Sequence, residues 1–212
     1  MANAIPDDAS QPEPLVIVID DDDDLRGAIA DLFLSVGLEV ASYGAAAPFL
    51  ATGIPNRPCC LVLDVRMPEE SGLELQARLK SESRQPPIIF ITAHADVPMS
   101  VRAMKQGAIN FLPKPFRDQD LLDAVWEALR YERERWTRDQ RLMELRRLAS
   151  DLTPRELEIL KAVDRGLLNK QIAHELGIAE ITVKMHRSSA FRKLRATTAS
   201  DFIRKVKMLE LA

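Results

Sequence analysis

Five polar residues close short apolar runs, and together they define a chemistry. Asp20 and Asp21 follow Leu15–Ile19, Asp64 follows Cys59–Leu63, Thr92 follows Ile88–Ile91, and Lys114 stands two residues beyond Ala108–Leu112. Three carboxylates brought together repel unless a cation joins them. Oxygen donors completed by water suit Mg2+ better than zinc, and no His or Cys stands at these ends. A divalent cation and a lysine flanking a carboxylate are what phosphoryl transfer needs. Both neutralise charge on the transferring group, and the carboxylate can act as nucleophile. Singly, each residue has an ordinary reading: Asp20–Asp24 as a solvated acidic run, Asp64 as a helix cap, Lys114 as a surface lysine, Thr92 as a strand end. The set is informative because the residues come from four separate runs.

Those runs must be strands that end at one place. Between Leu15–Ile19 and the next run, Glu39–Tyr43, residues Leu25, Ile29, Leu32, Phe33 and Val36 recur at helical spacing, with Gly37 as the C-cap. Asp22, Asp23 and Asp24 read as helix-start acids favoured by the macrodipole. Strand–helix alternation with short connections predicts a parallel sheet with helices on both faces. In such sheets the ligand crevice lies outside the carboxyl ends of the strands.

Asp20-Asp21, the stretch Asp64 to Gly72 (DVRMPEESG), Ile91 to His94 (ITAH) and Lys114-Pro115-Phe116 resemble the receiver domain of response regulators over residues 14–130. The resemblance implies a flavodoxin-like doubly wound sheet of five strand–helix units. It implies that Asp64 accepts a phosphoryl group from a sensor histidine kinase. Asp21 and Asp64 would hold Mg2+ with the backbone carbonyl of Arg66, and Asp20 would help through water. Lys114 would pair with the phosphoryl oxygens. Thr92 would bond the phosphoryl group and draw Phe111 inward. Arg66 and His94 would tune dephosphorylation, and the Lys114–Pro115 peptide would be cis. The stretch Asp96 to Lys105 resembles the fourth helix of the FixJ branch, with Val101 and Lys105 at a dimer interface.

Charge is unevenly spread along the 212 residues. Net charge is −6 over residues 1–117, −1 over 118–150 and +4 over 151–212. An acidic front and a basic rear predict two domains, with a nucleic-acid partner at the rear only. The only cysteines, Cys59 and Cys60, lie side by side in an apolar run and read as buried strand residues of a reducing cytosol. No apolar run approaches ~18 residues, which predicts no membrane span. Residues 1–14, rich in Pro and Asp, are expected to be disordered. Residues 118–149 contain no Pro or Gly and predict the last receiver helix continuing as a linker helix. A heptad frame from Leu122 through Val125, Leu129, Trp136 and Met143 puts Glu132 and Asp139 on the seam. That favours a semi-rigid spacer over a coiled coil.

The rear, 150–212, opens with a capping box: Thr153 as N-cap, Pro154 first in the helix, Glu156 at N3. Leu157, Leu160 and Val163 form its apolar face, and Gly166 ends it. Asn169 is expected to cap the next helix, with Ile172, Ala173 and Leu176 inward and Gly177 at its end. A third helix starts near Glu180–Thr182, with Val183, Ala190 and Leu194 on one face. Two short helices joined through a Gly turn form a helix-turn-helix. From Ile181 to Ser200 there is no Asp or Glu, while Lys184, Arg187, Arg192, Lys193 and Arg195 fall within twelve residues. Leu152 to Glu156 (LTPRE), Asn169 to Ala173 (NKQIA) and Thr182 to Arg187 (TVKMHR) resemble the LuxR-type all-α DNA-binding domain. The resemblance puts Lys184, Met185 and Ser188 at base edges of double-stranded promoter DNA, with Met185 suited to a thymine methyl. Lys170 and Arg187 would contact phosphate, Arg187 from nearer the apolar side, and Arg192 lies on the face of Lys184, Met185 and Ser188. His186 borders the core and is expected to serve packing.

Together the parts resemble FixJ-type two-component response regulators: cytoplasmic, dimeric when phosphorylated, and acting on transcription beside RNA polymerase. Two other readings compete. One is a regulator that binds DNA without phosphorylation and uses the receiver only to dimerise. The other is an enzyme on a similar sheet, a phosphatase or a flavoprotein, against which five consecutive aspartates after the first strand would repel a flavin phosphate.

Overall fold

Apolar runs too short for helices, each bounded by turn residues, form the strands. In the computed structural model, which describes residues 12–81, 84–94 and 96–209, the chain divides into two compact units between Trp136 and Thr137. The first unit alternates β1 (Leu15–Ile19), α1 (Asp23–Ser35), β2 (Glu39–Tyr43), α2 (Ala46–Thr52), β3 (Cys59–Asp64), α3 (Gly72–Leu79), β4 (Ile88–Thr92), α4 (Val97–Lys105) and β5 (Asn110–Pro113). The strands form one parallel sheet in the order β2-β1-β3-β4-β5. Every residue of β1, β3 and β4 is buried, as a parallel strand covered on both faces requires. One face carries Ile17, Leu61, Phe90, Leu75 and Phe49. The other packs Val16, Val62 and Ile91 against Phe33 of α1 and Leu121, Val125 and Leu129 of the helix that follows β5. Cys59 and Cys60 are free and buried.

The register explains how the site assembles. Ile19 pairs with Leu63, so Asp20 and Asp64 end their strands flush. Asp64 pairs with Ile91 and Thr92 with Pro113, so Thr92 and Lys114 each stand one residue further out. The fifth strand begins later than the apolar run Ala108–Leu112 predicts. Ala108 N–H is used by the C-terminus of α4, bonding Ala103 O at 3.1 Å beside Gly107 at φ +100°, and the ladder starts only when Ile109 N–H reaches Ile88 O.

α5 (Asp118–Ala149) is a single 32-residue helix. Its first turns belong to the sheet. Glu132, on the expected heptad seam, is wholly buried and pairs with Arg84 at 2.6 Å and Arg135 at 3.0 Å. Arg84 also bonds the carbonyls of Pro55 and Arg57 and lies over the Trp136 ring, 4.4 Å from its centre. No described helix is long and apolar enough to cross a membrane. Residues 1–11 of the expected disordered segment lie outside the described residues.

The second unit holds α6 (Pro154–Asp164), α7 (Asn169–Leu176), α8 (Glu180–Lys193) and α9 (Ala199–Met208). Its core joins Ile159, Leu160, Val163, Ile172, Val183, Ala190 and Leu194 to Phe202 and Val206 of α9. The core begins before residue 150, because Leu145 and Leu148 from the last turns of α5 are part of it. The capping box at Thr153 and Glu156 forms as its sequence requires. The expected cap at Asn169 does not. Leu168 is the N-cap, with Gln171 accepting its N–H at 2.8 Å, while Asn169 Oδ1 accepts from the Arg187 guanidinium.

Candidate functional site

At the carboxyl edge of the sheet, Lys114 lies between two buried carboxylates. Its Nζ is 2.7 Å from Asp20 Oδ2 and 3.0 Å from Asp64 Oδ1. Asp20 is fully buried and Asp64 is 5 % exposed, whereas Asp21 is open to solvent. The second oxygen of Asp64 accepts the Arg66 N–H at 3.0 Å, and Asp20 Oδ1 accepts the Asp22 N–H at 3.0 Å. One carboxylate oxygen from each of Asp20, Asp21 and Asp64 lies within 4.8 Å of the others. Three negative charges against one ammonium leave the cluster at −2. An all-oxygen site with that residual charge fits a divalent hard cation such as Mg2+.

Backbone geometry sets these positions. Lys114 N–H donates to Thr92 O at 2.7 Å, and the Lys114–Pro115 peptide is cis. Thr92 is buried, and its Oγ1 accepts the His94 N–H at 3.2 Å. Gly72 N–H bonds Val65 O at 3.0 Å. A Cβ on Gly72 would lie 2.3 Å from the Asp64 carbonyl oxygen, so only glycine lets α3 start against the end of β3. Burial raises the Asp64 pKa, Lys114 works against that rise, and the charge on Asp20 adds to it. Burial also disfavours the Lys114 cation, but bonds to Asp20 and Asp64 outweigh it and hold its pKa above the ordinary lysine value.

The other residues predicted for this unit surround the cluster. The Arg66 side chain is exposed beside Asp64. Phe111 is half-buried in β5, its ring 6.2 Å from that of Phe90. Val101 and Lys105 are exposed on α4, in company with Val97 and Met104, which the sequence reading did not single out. Also missed was Arg26, which donates to the Asp20 carbonyl at 2.6 Å and pairs with Asp23. Its place one helical turn after Asp23 was the available signal.

In the second unit, Lys184, Met185, Ser188 and Arg192 are exposed on α8, and Lys170 is exposed on α7. Lys184 pairs with Glu180 at 3.0 Å. Arg187 is half-buried and tied to Asn169, so it joins α7 to α8. Lys193, counted with the basic cluster from sequence, is turned inward. It bonds Glu156 Oε2 at 2.7 Å and Asp151 O at 3.0 Å. Burial disfavours the Glu156 carboxylate, yet bonds from Lys193, Ser189 and Thr153 bring its pKa down to about 2.

Residues 16–126 match the family model for the response regulator receiver domain, and residues 150–206 match that for bacterial regulatory proteins of the luxR family. Nodulation protein W of Bradyrhizobium diazoefficiens is 49% identical over 90% of this chain and 84% of its own length. The solved structure of the response regulator StyR is similar with a TM-score of 0.81 and 47% identity, covering 92% of this chain and 99% of that one. Full-length FixJ from B. japonicum has a TM-score of 0.55 and 33% identity, covering 93% and 98%.

Proposed function

We propose, for a chain that belongs to the two-component response regulators with a receiver domain and a LuxR-type DNA-binding domain, that phosphorylation of Asp64 governs binding to promoter DNA. The observation that carries this reading is Lys114 reaching both Asp20 and Asp64 from a third strand end. A carboxylate oxygen of Asp64 forms the new O–P bond as the N–P bond of a sensor kinase's phosphohistidine breaks. Asp21, Asp64 and the Arg66 carbonyl would hold Mg2+, with Asp20 assisting through water. When bound, the cation offsets negative charge on the transferring group. Lys114 supplies the neighbouring positive charge and then pairs with the phosphoryl oxygens.

The switch follows from the same residues. Thr92 bonds the phosphoryl group, Phe111 moves inward, and the face of α4 bearing Val101 and Lys105 becomes the surface on which two receivers dimerise. Dimerisation presents two α8 helices to paired half-sites. Lys184, Met185 and Ser188 read base edges, and Lys170, Arg187 and Arg192 contact phosphate. The chain is a cytoplasmic regulator that acts on transcription through RNA polymerase, not an enzyme.

Incubation with acetyl phosphate and Mg2+, followed by intact mass and light scattering, tests this. One added phosphoryl group and a dimer are expected for the wild-type chain, and neither for Asp64→Asn. A chain that gains no mass yet dimerises and binds its DNA would establish the phosphorylation-independent reading instead.

A further inference from the structure

The inward face of α8 is fully used: Val183 and Ala190 are buried in the core. Its outward face should then be polar, as on a solvated amphipathic helix. It is not. Ile181 is 63 % exposed and Met185 is 66 % exposed, one turn apart on the same side. Neighbouring charge does not suit this strip for a protein core either, with Lys184, Ser188 and Arg192 exposed beside it and no acid from Ile181 to Ser200. Lys184 pairs with Glu180 at the surface, and beside it the apolar pair stands open at the start of the helix. The major groove offers one apolar recognition feature, the thymine C5-methyl.

Resting on the reading of α8 as the DNA-recognition helix, we infer that Ile181 is a specificity-determining residue. With Met185 it forms a two-residue apolar reader for thymine methyl groups. Residues four apart on a helix are separated by about 6 Å along its axis, close to two base steps of about 3.4 Å. The preferred half-site therefore carries two thymines one or two steps apart, one beneath Ile181 and one beneath Met185. Ile181 acts through shape and desolvation alone, so its contribution is insensitive to salt, unlike that of Lys170 or Arg192.

The test uses the full chain with phosphodonor to select duplexes from a random-sequence library. Each thymine of the selected half-site is then replaced by deoxyuridine, which removes the methyl and keeps the base pair. Two positions are expected to lose about fourfold in affinity each, the value of one buried methyl-sized group. Ile181→Ala loses a similar factor on thymine DNA and no longer responds to deoxyuridine at one of the two positions. Met185→Ala loses its response only at the other. If Ile181→Ala responds to every replacement as the wild type does, or weakens all sequences equally, the assignment of Ile181 is overturned. A chain that enriches no sequence at all overturns the DNA-reading function itself, and this inference with it.

Discussion

Each unit buries a carboxylate against a lysine, and the two carboxylates are shifted in opposite directions. Glu156 lies 2.7 Å from Lys193 and titrates near 2, well below an ordinary glutamate. Asp64 lies 3.0 Å from Lys114 and titrates above an ordinary aspartate. The difference is in the company. Glu156 also accepts bonds from Thr153 and Ser189, and among the described residues Lys193 pairs with no second carboxylate. Asp64 shares its lysine with Asp20, whose like charge adds to the cost of burial. A carboxylate supplied with all its donors is a structural anchor. One left short of positive charge has the electrostatics of a site that binds cations.

The largest effect expected is at the undersupplied site. Asp64→Asn should abolish phosphoryl uptake and every phosphodonor-dependent change in DNA binding, as read by electrophoretic mobility of the protein and its DNA complex. A variant that still responds would erase the functional half of the contrast. Next comes Gly72→Ala, which drives a methyl into the Asp64 carbonyl. It should cost about 3 kcal/mol in the first unit, measured by urea denaturation. The anchor in the second unit has a pH signature of its own. Because the folded pKa of Glu156 lies below its ordinary 4.5, its stabilisation is fully present above about 4.5 and fades as pH falls toward 2. That window is worth up to ~3 kcal/mol. Glu156→Gln should flatten the acid limb of the second unit's stability while leaving phosphorylation of Asp64 intact. The smallest effect belongs to Lys170→Ala, which should weaken binding evenly across sequences and lower the salt slope by about one.

The same contrast explains what was legible beforehand. The first unit declared itself through residue types at strand ends, and β1 and β2 begin and end where the short runs Leu15–Ile19 and Glu39–Tyr43 placed them. Its helix-start acids also stood out: Asp22 caps α1, and Asp23 and Asp24 fill the first turn. Partner choice did not show. Nothing in the order of residues says that Lys114 prefers Asp20 and Asp64 together, because those bonds depend on register between strands far apart in the chain. In the second unit, helical periodicity correctly put Val183, Ala190 and Leu194 inside. It also sets Lys193 half a turn away from the exposed Lys184, but it could not show that Lys193 seals Glu156. Asn169 had the right residue type for a cap, but the helix starts one residue earlier than that role requires: Leu168 is the N-cap, and the Asn169 oxygen accepts from Arg187 instead. Ala108 had strand character, but its N–H was already committed to closing α4.

The grip of Arg84 on α5 has a consequence for how that helix comes apart. Arg84 ties Glu132 and Trp136 to the loop that leads into β3, through the carbonyls of Pro55 and Arg57. Up to Trp136, breaking a helical hydrogen bond means disturbing the sheet beneath it. From Thr137 the helix answers to the second unit instead. Amide protons on the two sides of this point should therefore exchange with solvent at rates set by two different opening reactions. On that expectation an unbroken run of backbone hydrogen bonds melts as two segments, each on its own schedule.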